Sequence, residues 1–354
     1  MKLRANKDIN SNEIARLAGV SRSTVSRVIN NYPNVPPETR EKVMKIIEQY
    51  NYFPNISAQV LAGKRAKSIG VFLVARGQFS SDILTNLLIT SVIEGASDCG
   101  YYAVTNIIRN IKDPESIKIV KEMFFQRRID GGIFIGTNNH EPLIEELIAE
   151  GFVVGVVDQD LPGRSEPNRV VFNVANEEGS VQAVDYLVSL NHRNIGIING
   201  EMNRYAGPSK FQGFIKGMKK HHLTVHNNWI LPGDFTTEGG YHAAQTLLKK
   251  SKQLPTALFA ANDSTAFGAM KAFEEHGIKI PEDLSIIGFD DHTLSRYIKP
   301  ALTTIRVDFA QMMQDLSKKL IEVIESEAKN PFTKVKVTTQ LLVRDSCKPI
   351  SDTQ

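Results

Sequence analysis

The stretch "SNEIARLAGVSRSTVSRVIN" (residues 11–30) carries two short apolar patterns separated by a glycine. Asn10 or Ser11 can cap a first helix. Its apolar positions are Ile14, Ala15, Leu17 and Ala18. Gly19 suits the positive φ of a tight turn, and Ser21 is a favourable N-cap for a second helix. The pattern predicts two short helices joined by a glycine-containing turn.

A third helix is predicted after the connection "NNYPNV". The second helix has Val25, Val28 and Ile29 on one face, which can pack against the first helix. Pro37 can occupy the first turn of the third helix, whose inward residues are Val43, Ile46 and Ile47. Three short helices with such a turn describe a helix-turn-helix.

The other face of the second helix is polar and carries two arginines. Hydroxyl and amide groups near a helix N-terminus suit phosphate oxygens, and arginine suits guanine edges in the major groove. A small solvated helical hairpin without a ligand has the same spacing, so the pattern favours DNA binding by a modest margin. The residues on this face are Ser21, Arg22, Ser23, Thr24, Ser26, Arg27 and Asn30.

The charge of the chain is unevenly distributed. Residues 1–67 hold twelve Lys and Arg against five Asp and Glu, a net charge of +7, whereas the rest holds thirty against thirty-four, a net charge of −4. A basic segment joined to a mildly acidic body suggests a polyanion-binding module fused to another domain.

The composition argues against several classes of protein. No apolar run approaches the ~20 residues of a membrane helix, and no apolar segment follows the basic N-terminus as in a signal peptide. Cys99 and Cys347 are too few for a disulfide framework, and no Cys/His cluster has metal-ligand spacing. We therefore expect a protein of the reducing cytoplasm, associated with the nucleoid, with no metal and no cofactor.

From Ser68 onward, apolar β-branched runs alternate with amphipathic segments. Near-continuous apolar strands separated by helices predict parallel sheets covered on both faces. Eight or more such units are many for one sheet, so two doubly wound lobes are expected. The candidate strands are "SIGVFLV", "YYAVTNII", "DGGIFIG", "FVVGVVD", "VVFNV", "NIGIING", "TALFAAND" and "LSIIGFDD", with helices at 112–126, 141–150, 177–190 and 264–276.

Several of these strands end in Asn or Asp. Ligands of open parallel sheets bind outside the carboxyl ends of the strands. Carboxylates and amides suit a hydroxyl-rich ligand there, and Phe235 could pack on a sugar face. Each such residue is equally typical of a turn or a helix cap. The strand-end residues are Asp158, Asn199, Asn262, Asp263, Asp290 and Asp291.

The segments "NEIARLAGVSRSTVSRVIN", "VPPETREKV" and "YNYFPNISAQVLAGKRAKSIGV" closely resemble the DNA-binding headpiece of the lactose/galactose-repressor (LacI/GalR) family. The resemblance implies that Arg22, Ser23 and Arg27 read bases. It also implies that Ser21, Thr24 and Asn30 contact phosphates. Pro36 departs from the family pattern, which commonly has a capping serine there.

The segment "PNISAQVLAGKRAK" (54–67) is, by itself, typical of a linker, since it is too short for a stable isolated helix. The resemblance implies a hinge helix that forms on DNA, pairs with its dimer mate and lies in the minor groove. There Leu61 would wedge into the central base step and kink the duplex. Asn55 and Ala58 match neighbouring hinge contacts.

The resemblance continues through the body in "YLVSLNHRNIGIING", "PTALFAANDSTAFGAMKAFEEHGIKIPEDLSIIGFDD", "PALTTIRVD" and "LLVRDSC". It implies a body like periplasmic sugar-binding proteins, with two lobes joined by three crossovers and an effector in the cleft. Asn262 and Asp290 match effector hydroxyl ligands, and Phe235 matches a stacking aromatic. The loop from Phe79 to Thr85 would add contacts from the first lobe.

Three body residues depart from the family pattern. Lys210 stands where the family has an effector-gripping arginine, and lysine is a point donor without the planar fork. Ala175 replaces a frequent aspartate, and Asn191 replaces a usual glycine. These departures allow an effector other than a plain monosaccharide. The neighbouring His192 lacks a nucleophile or carboxylate in motif spacing, so we expect a structural hydrogen-bonding role.

The expected organisation is an all-α helix-turn-helix headpiece (1–53), a hinge (54–67) and a two-lobed α/β body of doubly wound parallel sheets (68–350). The expected function is a transcriptional repressor, dimeric on a palindromic operator and released by a small carbohydrate effector. No heptad repeat follows "RDSC", which favours a dimer over a coiled-coil tetramer. The alternative is a global carbon-catabolite regulator controlled by a phosphorylated protein.

Two other classes fit less well. An enzyme on a doubly wound fold would need a phosphate-binding or nucleophile motif, and G-x-G-x-x-G, G-x-x-x-x-G-K-[ST] and G-x-S-x-G are all missing. A sugar-binding receptor would account for the body, but the headpiece and the missing signal peptide argue against it. We therefore expect a regulator without enzymatic activity.

Overall fold

The computed structural model describes residues 9–55, 60, 63–74, 83–251, 253–326 and 332–350. The chain divides into two compact units, and the division falls between Ala66 and Lys67. Within the described ranges, no helix has the length and apolar character needed to cross a membrane.

The N-terminal unit contains the three predicted helices, α1 (Ser11–Ala18), α2 (Arg22–Ile29) and α3 (Pro37–Gln49). Gly19 adopts a left-handed φ of 63° between α1 and α2, as the turn requires. α3 begins at Pro37 without a side-chain cap, because the preceding residue is Pro36. The core of the unit consists of Ile14, Ala15, Ala18, Val25, Val28, Val35 and Val43. The predicted helix-turn-helix is confirmed.

The first lobe of the C-terminal unit is built on a six-stranded parallel sheet. Its strands, in spatial order, are β11 (Thr333–Val337), β5 (Arg169–Val174), β4 (Val153–Val157), β3 (Gly131–Ile135), β1 (Ser68–Val74) and β2 (Tyr102–Ile108). Its helices are α4 (Ile83–Asp98), α5 (Pro114–Phe125), α6 (Pro142–Ala149) and α11 (Phe309–Glu325).

The second lobe repeats this architecture with one antiparallel edge strand. Its spatial order is β12 (Thr339–Leu342), β10 (Thr303–Val307), β9 (Ser285–Asp290), β8 (Ala257–Ala260), β6 (Ile195–Ile198) and β7 (Ile230–Leu231). β12 runs antiparallel to β10, and the other pairs are parallel. Its helices are α7 (Asn176–Ser189), α8 (Ala206–Lys220), α9 (Thr237–Lys250) and α10 (Asp263–Glu275).

Helices cover both faces of each sheet, because the strands are apolar on both sides. In β1, Val71 belongs to the core that faces α4 and α11. Its neighbour Phe72 belongs to the core that faces α5 and α6, where its ring stacks 4.6 Å from that of Phe134. α7 and α8 cover one face of the second sheet, and α9 and α10 cover the other. The predicted pair of doubly wound lobes is confirmed.

The chain passes between the lobes three times. It leaves the first lobe between β5 and α7, returns between β10 and α11, and crosses again between β11 and β12. Only Thr338 separates β11 from β12. Three connections hold the lobes side by side and bring the carboxyl ends of the central strands toward the space between them.

Candidate functional site

The exposed face of α2 is held by an N-terminal hydroxyl network. Ser21 Oγ accepts a hydrogen bond from the backbone N–H of Thr24 at 3.1 Å. It also lies 2.7 Å from Ser23 Oγ and 2.9 Å from Thr24 Oγ1. Arg22 Nε donates to Ser11 Oγ on α1 at 3.2 Å. The same residues that were predicted to contact DNA therefore also fix the start of α2.

The predicted base-reading residues Arg22, Ser23 and Arg27 all lie exposed on this unit. Asn30 is the C-cap of α2, and its Nδ2 donates to Ser26 Oγ at 3.2 Å. Lys64 Nζ donates to Asn30 Oδ1. Base and phosphate contacts by these residues remain predictions.

The hinge prediction falls mostly outside the described residues. Asn55 lies exposed after α3. Ala58 and Leu61 lie outside the described ranges, as does Phe79 of the predicted first-lobe loop.

In the second lobe, Lys210 is the central charged group of the cleft side. It lies on α8, which packs closely on α7, since a Cβ at Gly213 would lie 2.3 Å from the backbone oxygen of Glu177. Lys210 Nζ donates to the carbonyl of Ala261 at 2.8 Å and lies 3.6 Å from Asp290 Oδ1. It also sits 3.8 Å from the ring centroid of Phe289. Lys210 is 4% exposed, and its ammonium group is already engaged by protein groups.

Asp158 brings a carboxylate from the first lobe. It follows β4 and accepts from the backbone N–H of Val174 at 2.8 Å and from Asn176 Nδ2 at 3.3 Å. Burial raises the pKa of Asp158, whereas the Val174 hydrogen bond and the charge of Lys210 lower it. The charge of Lys210 therefore lowers the pKa of a carboxylate on each lobe, Asp158 on the first and Asp290 on the second.

Two further carboxylates share the second-lobe side. Burial raises the pKa of Asp290 to about 6. The charge of Lys210 lowers this pKa, and the charge of Asp158 raises it further. Burial and the charge of Asp290 raise the pKa of Asp263 to about 7. Asp263 accepts from the backbone N–H of His292, from Ser295 Oγ and from Thr304 Oγ1, so it is a structural anchor.

Asn262 caps α10, which is the alternative role that its strand-end position allowed. Its Oδ1 accepts from the backbone N–H of Thr265 at 2.9 Å, and its Nδ2 donates to the carbonyl of Phe235 at 2.9 Å. The Phe235 ring lies against Gly200, where a Cβ would come within 1.9 Å of the ring. Asn262 thus holds the backbone of the loop that carries the predicted stacking aromatic.

Several residues near the cleft have a strained backbone. Asp158, Phe235, Asp290 and Asp291 all have positive φ values, between 57° and 114°. Such conformations cost non-glycine residues on the order of 1–3 kcal/mol each and tend to persist at functional sites. Arg344 Nη2 holds Asp291 through a 2.5 Å contact to its Oδ1.

Two buried polar atoms near the carboxyl ends of β6 and β3 have no hydrogen-bond partner among the described residues. They are Asn199 Oδ1, which follows β6, and Thr137 Oγ1, which follows β3. Asn199 and Thr137 are 5% and 4% exposed. The sequence flagged Asn199 through its strand-end position, whereas Thr137 sits in "GTNN" with no motif to distinguish it.

Loop contacts between the lobes also escaped sequence analysis. Asn203 Nδ2 donates to Asn138 Oδ1 at 2.9 Å, and the carbonyl of Asn203 accepts from the N–H of Asn139 at 3.1 Å. Lys336 of β11 forms an ion pair with Glu178 of α7. These contacts join segments that are distant in sequence, so no local sequence pattern predicts them.

His192 lies outside the cleft group, as expected of a structural histidine. It is 1% exposed, with Nδ1 3.0 Å from Thr256 Oγ1 and Nε2 3.1 Å from the carbonyl of Lys348. Burial lowers its pKa to about 4, so the ring is neutral at physiological pH. Among the described residues, no group of three or more His, Cys, Asp or Glu could hold a metal ion.

Two family models match the chain. Residues 12–55 match the bacterial regulatory proteins of the lacI family, and residues 184–347 match a periplasmic binding protein-like domain. The HTH-type transcriptional repressor PurR of Haemophilus influenzae is 34% identical over 343 residues, which cover 96% of this chain and 98% of that protein.

Solved structures give the same result. A lac repressor dimer bound to operator and the anti-inducer ONPF has a TM-score of 0.80 and 25% identity, over 97% of this chain and all of that one. A complex of the transcriptional regulator CelR with cellobiose has a TM-score of 0.73 and 25% identity, over 96% and 99% of the two chains. The protein is a transcriptional repressor, a non-enzymatic DNA-binding regulator, and belongs to the LacI family.

Proposed function

We propose that the protein represses transcription as a dimer on a palindromic operator, and that a small hydroxyl-rich effector bound between the two lobes releases it. In this proposal residues 1–53 bind DNA, residues 54–67 form the hinge, and residues 68–350 bind the effector and dimerise. The observation that carries the proposal is that charged groups of the two lobes lie close enough to change one another's pKa. They are Asp158 of the first lobe and Lys210 and Asp290 of the second lobe.

The headpiece supports the DNA half of the proposal. α2 presents Arg22 and Arg27 outward, while its other face is fixed by Val25 and Val28 in the core. An arginine that pairs with a base edge is worth ~1–3 kcal/mol of discrimination. Two such helices related by a two-fold axis read a palindrome.

The cleft supports the part of the proposal that concerns effector binding. A ligand that contacts Asp158 on one lobe and Asp290 on the other has different contacts when the lobes change their relative angle. Such a ligand shifts a two-state equilibrium by its difference in affinity for the two states. Effector and operator must then weaken each other by the same factor.

An exposed apolar surface on the first lobe supports dimerisation. On the edge strand β2, Ile107 is 47% exposed and lies on the face that α4 covers, since its sheet neighbour Leu73 belongs to the core facing α4. Ile83 and Leu87 on the neighbouring α4 are 39% exposed each. Contiguous exposed apolar side chains mark interaction sites, and an edge strand is an available pairing surface.

Selection of binding sites from random-sequence duplex DNA by the full chain tests the operator proposal. We expect a two-fold symmetric consensus. Arg22→Ala and Arg27→Ala should each lower affinity for that consensus by about 10- to 100-fold, in keeping with the energy of a base-pairing arginine. Arg16→Ala is the matched control, because Arg16 is an exposed arginine on α1 that pairs with Glu13.

The control should bind the consensus within a few fold of the wild type. A consensus without symmetry would contradict the dimeric operator. Equal losses for Arg16→Ala and Arg22→Ala would contradict base reading by α2, since loss of one positive charge alone would then account for the effect.

A further inference from the structure

The described side chains at the cleft are rich in acceptors. Asp158 and Asp290 remain partly exposed, and Asp290 has a side-chain exposure of 11%. Asn199 Oδ1 is buried without a partner among the described residues. Ile198 pairs with Ala260 in the sheet, so Asn199 lies beside Ala261, the residue whose carbonyl accepts from Lys210.

The positive charge at this place is already committed. Lys210 Nζ donates to the Ala261 carbonyl, lies 3.6 Å from Asp290 Oδ1 and rests on the Phe289 ring at 3.8 Å. An arginine here would present a fork with five donors, whereas an ammonium group has three. Lys210 therefore stabilises the cleft carboxylates and has little donor capacity left for a ligand.

The carboxylates also repel one another. The charge of Asp158 raises the pKa of Asp290, and the charge of Asp290 raises the pKa of Asp263. The Lys210 ammonium group acts on two of these three carboxylates, Asp158 and Asp290. A bound cation would relieve this repulsion, and a bound anion would increase it.

We propose that the effector is a polyhydroxylated molecule that carries a protonated amine, with the ammonium group between Asp158 and Asp290. A hydroxyl of the same molecule donates to Asn199 Oδ1, and its apolar face packs on Phe235. The inference rests on the proposed effector function of this cleft. It assigns Asp158 and Asp290 as specificity-determining residues, and it excludes carboxylated and phosphorylated sugars.

Calorimetric titration of the full chain with matched mono- and disaccharides tests this inference. Each series contains the free amine, its N-acetyl derivative, the parent sugar, the uronic acid and the 6-phosphate, in the gluco, galacto and manno configurations. We expect the free amine to bind about tenfold or more tightly than its neutral counterparts in at least one series. The uronic acid and the phosphate should not bind.

Two variants separate a direct contact from a general effect. Asp290→Asn should weaken binding of every member that contacts this carboxylate, and it should lower affinity for the amine about tenfold more than affinity for the neutral members of the same series. Asp185→Asn is the matched control on the same lobe, where Asp185 pairs with Lys220 and His221 at the surface. This control should leave both affinities unchanged.

The pH dependence gives a second readout. Lys210, Asp158 and Asp263 are the charged groups that face Asp290, and the pKa of Asp290 is about 6. Only the ionised carboxylate attracts an ammonium group, so affinity for the amine should rise several-fold from pH 5 to pH 7. Affinity for the neutral sugar should stay flat over the same range.

Each outcome decides between the proposals. A neutral or acidic member that binds best in every series overturns the amine assignment and leaves the effector cleft in place. If no member of any series binds, both the amine assignment and the carbohydrate effector are overturned. Neither result touches the operator selection, which depends on the headpiece alone.

Discussion

At the scale of single residues, Lys210 changes what the cleft offers a ligand. An arginine at this position could grip an effector with a planar fork, whereas the Lys210 ammonium is bound to Ala261 and Asp290. Sequence analysis identified the substitution and its loss of the fork. It could not show where the ammonium group would go, because Ala261 and Asp290 lie 51 and 80 residues away in the chain.

Other residue predictions met the same limit. Asn262 and Asp290 were correctly placed at strand ends, but a strand-end amide suits a helix cap and a ligand equally well. The structure gives Asn262 the cap of α10. Asp263 was flagged with them and proves to be a buried anchor for His292, Ser295 and Thr304. Which strand-end residue faces inward depends on packing from distant segments.

Asp290 should make stability depend on pH. Its folded-state pKa of about 6 lies above its ordinary value of 3.8, so the folded chain binds more protons between these values. The free energy of unfolding therefore falls as pH rises from about 4 to about 6. Asp290→Asn should remove on the order of 2–3 kcal/mol of this fall.

Denaturant unfolding of the variant across pH 4–7 measures this slope. Asp98→Asn is the control, since Asp98 is an exposed carboxylate paired with Lys318 on neighbouring α11. A slope for Asp290→Asn that matches the control would show that the raised pKa does not belong to Asp290. The absolute stability is a poorer readout, because the substitution also deprives Lys210 of its counter-ion.

At the scale of elements, the helix-turn-helix was readable because its signals are local. Caps, a turn glycine and an apolar stripe all fall within twenty residues of sequence. The eight apolar strands were readable for the same reason. Four strands were not predicted: β11, "TKVKV", the two-residue β7, β10 and β12. β11 alternates with lysines because it is an edge strand, and its pairing partner β5 lies some 160 residues earlier.

The N-cap of α2 should matter more for DNA binding than its energy suggests. Ser21→Ala removes the bond to the Thr24 N–H and should destabilise the headpiece by about 1 kcal/mol. Operator affinity should fall by more than this loss of stability accounts for, because fraying of the first turn displaces Arg22 and Ser23 and because the predicted phosphate contact of Ser21 is lost. Gel-shift titration on the selected operator measures the loss.

Thr236→Ala provides the matched cap deletion in the body, where Thr236 Oγ1 accepts from the Gly239 N–H at 2.9 Å. It should lower the stability of the body by a similar amount and leave operator affinity intact. Equal effects of Ser21→Ala and Thr236→Ala on operator affinity would show that the α2 cap has no special part in DNA binding.

At the scale of the whole molecule, family membership and lobe architecture followed from sequence, whereas the contacts that join the lobes did not. The Asn203–Asn138 hydrogen bond and the Lys336–Glu178 ion pair connect segments with no shared local pattern. Such contacts follow from how the two sheets meet.

The exposed β2 surface should govern the association of two copies. Ile107→Lys places a charge within the apolar surface of β2 and α4, and we expect a monomer in sedimentation analysis. Operator affinity should fall by at least tenfold, since two half-sites are no longer read together. Ile119→Lys is the control, because Ile119 on α5 is 45% exposed and Ile107 is 47% exposed.

The control should remain dimeric with unchanged DNA binding, and both variants should unfold at nearly the wild-type temperature. A dimeric Ile107→Lys chain would remove the surface of β2 and α4 from the interface. Monomerisation by Ile119→Lys instead would assign the interface to α5.

The crossing at Thr338 also sets an order of events during synthesis on the ribosome. β11 completes the first sheet beside β5, and β12 completes the second beside β10. A nascent chain extended only to residue 330 therefore carries two nearly finished sheets, each with one more open edge than in the full chain, at β5 and at β10. The same ten-residue ribbon, residues 333–342, closes both edges. A premature stop before this ribbon would thus leave both lobes prone to aggregation, because each would have unpaired backbone groups available to other nascent chains.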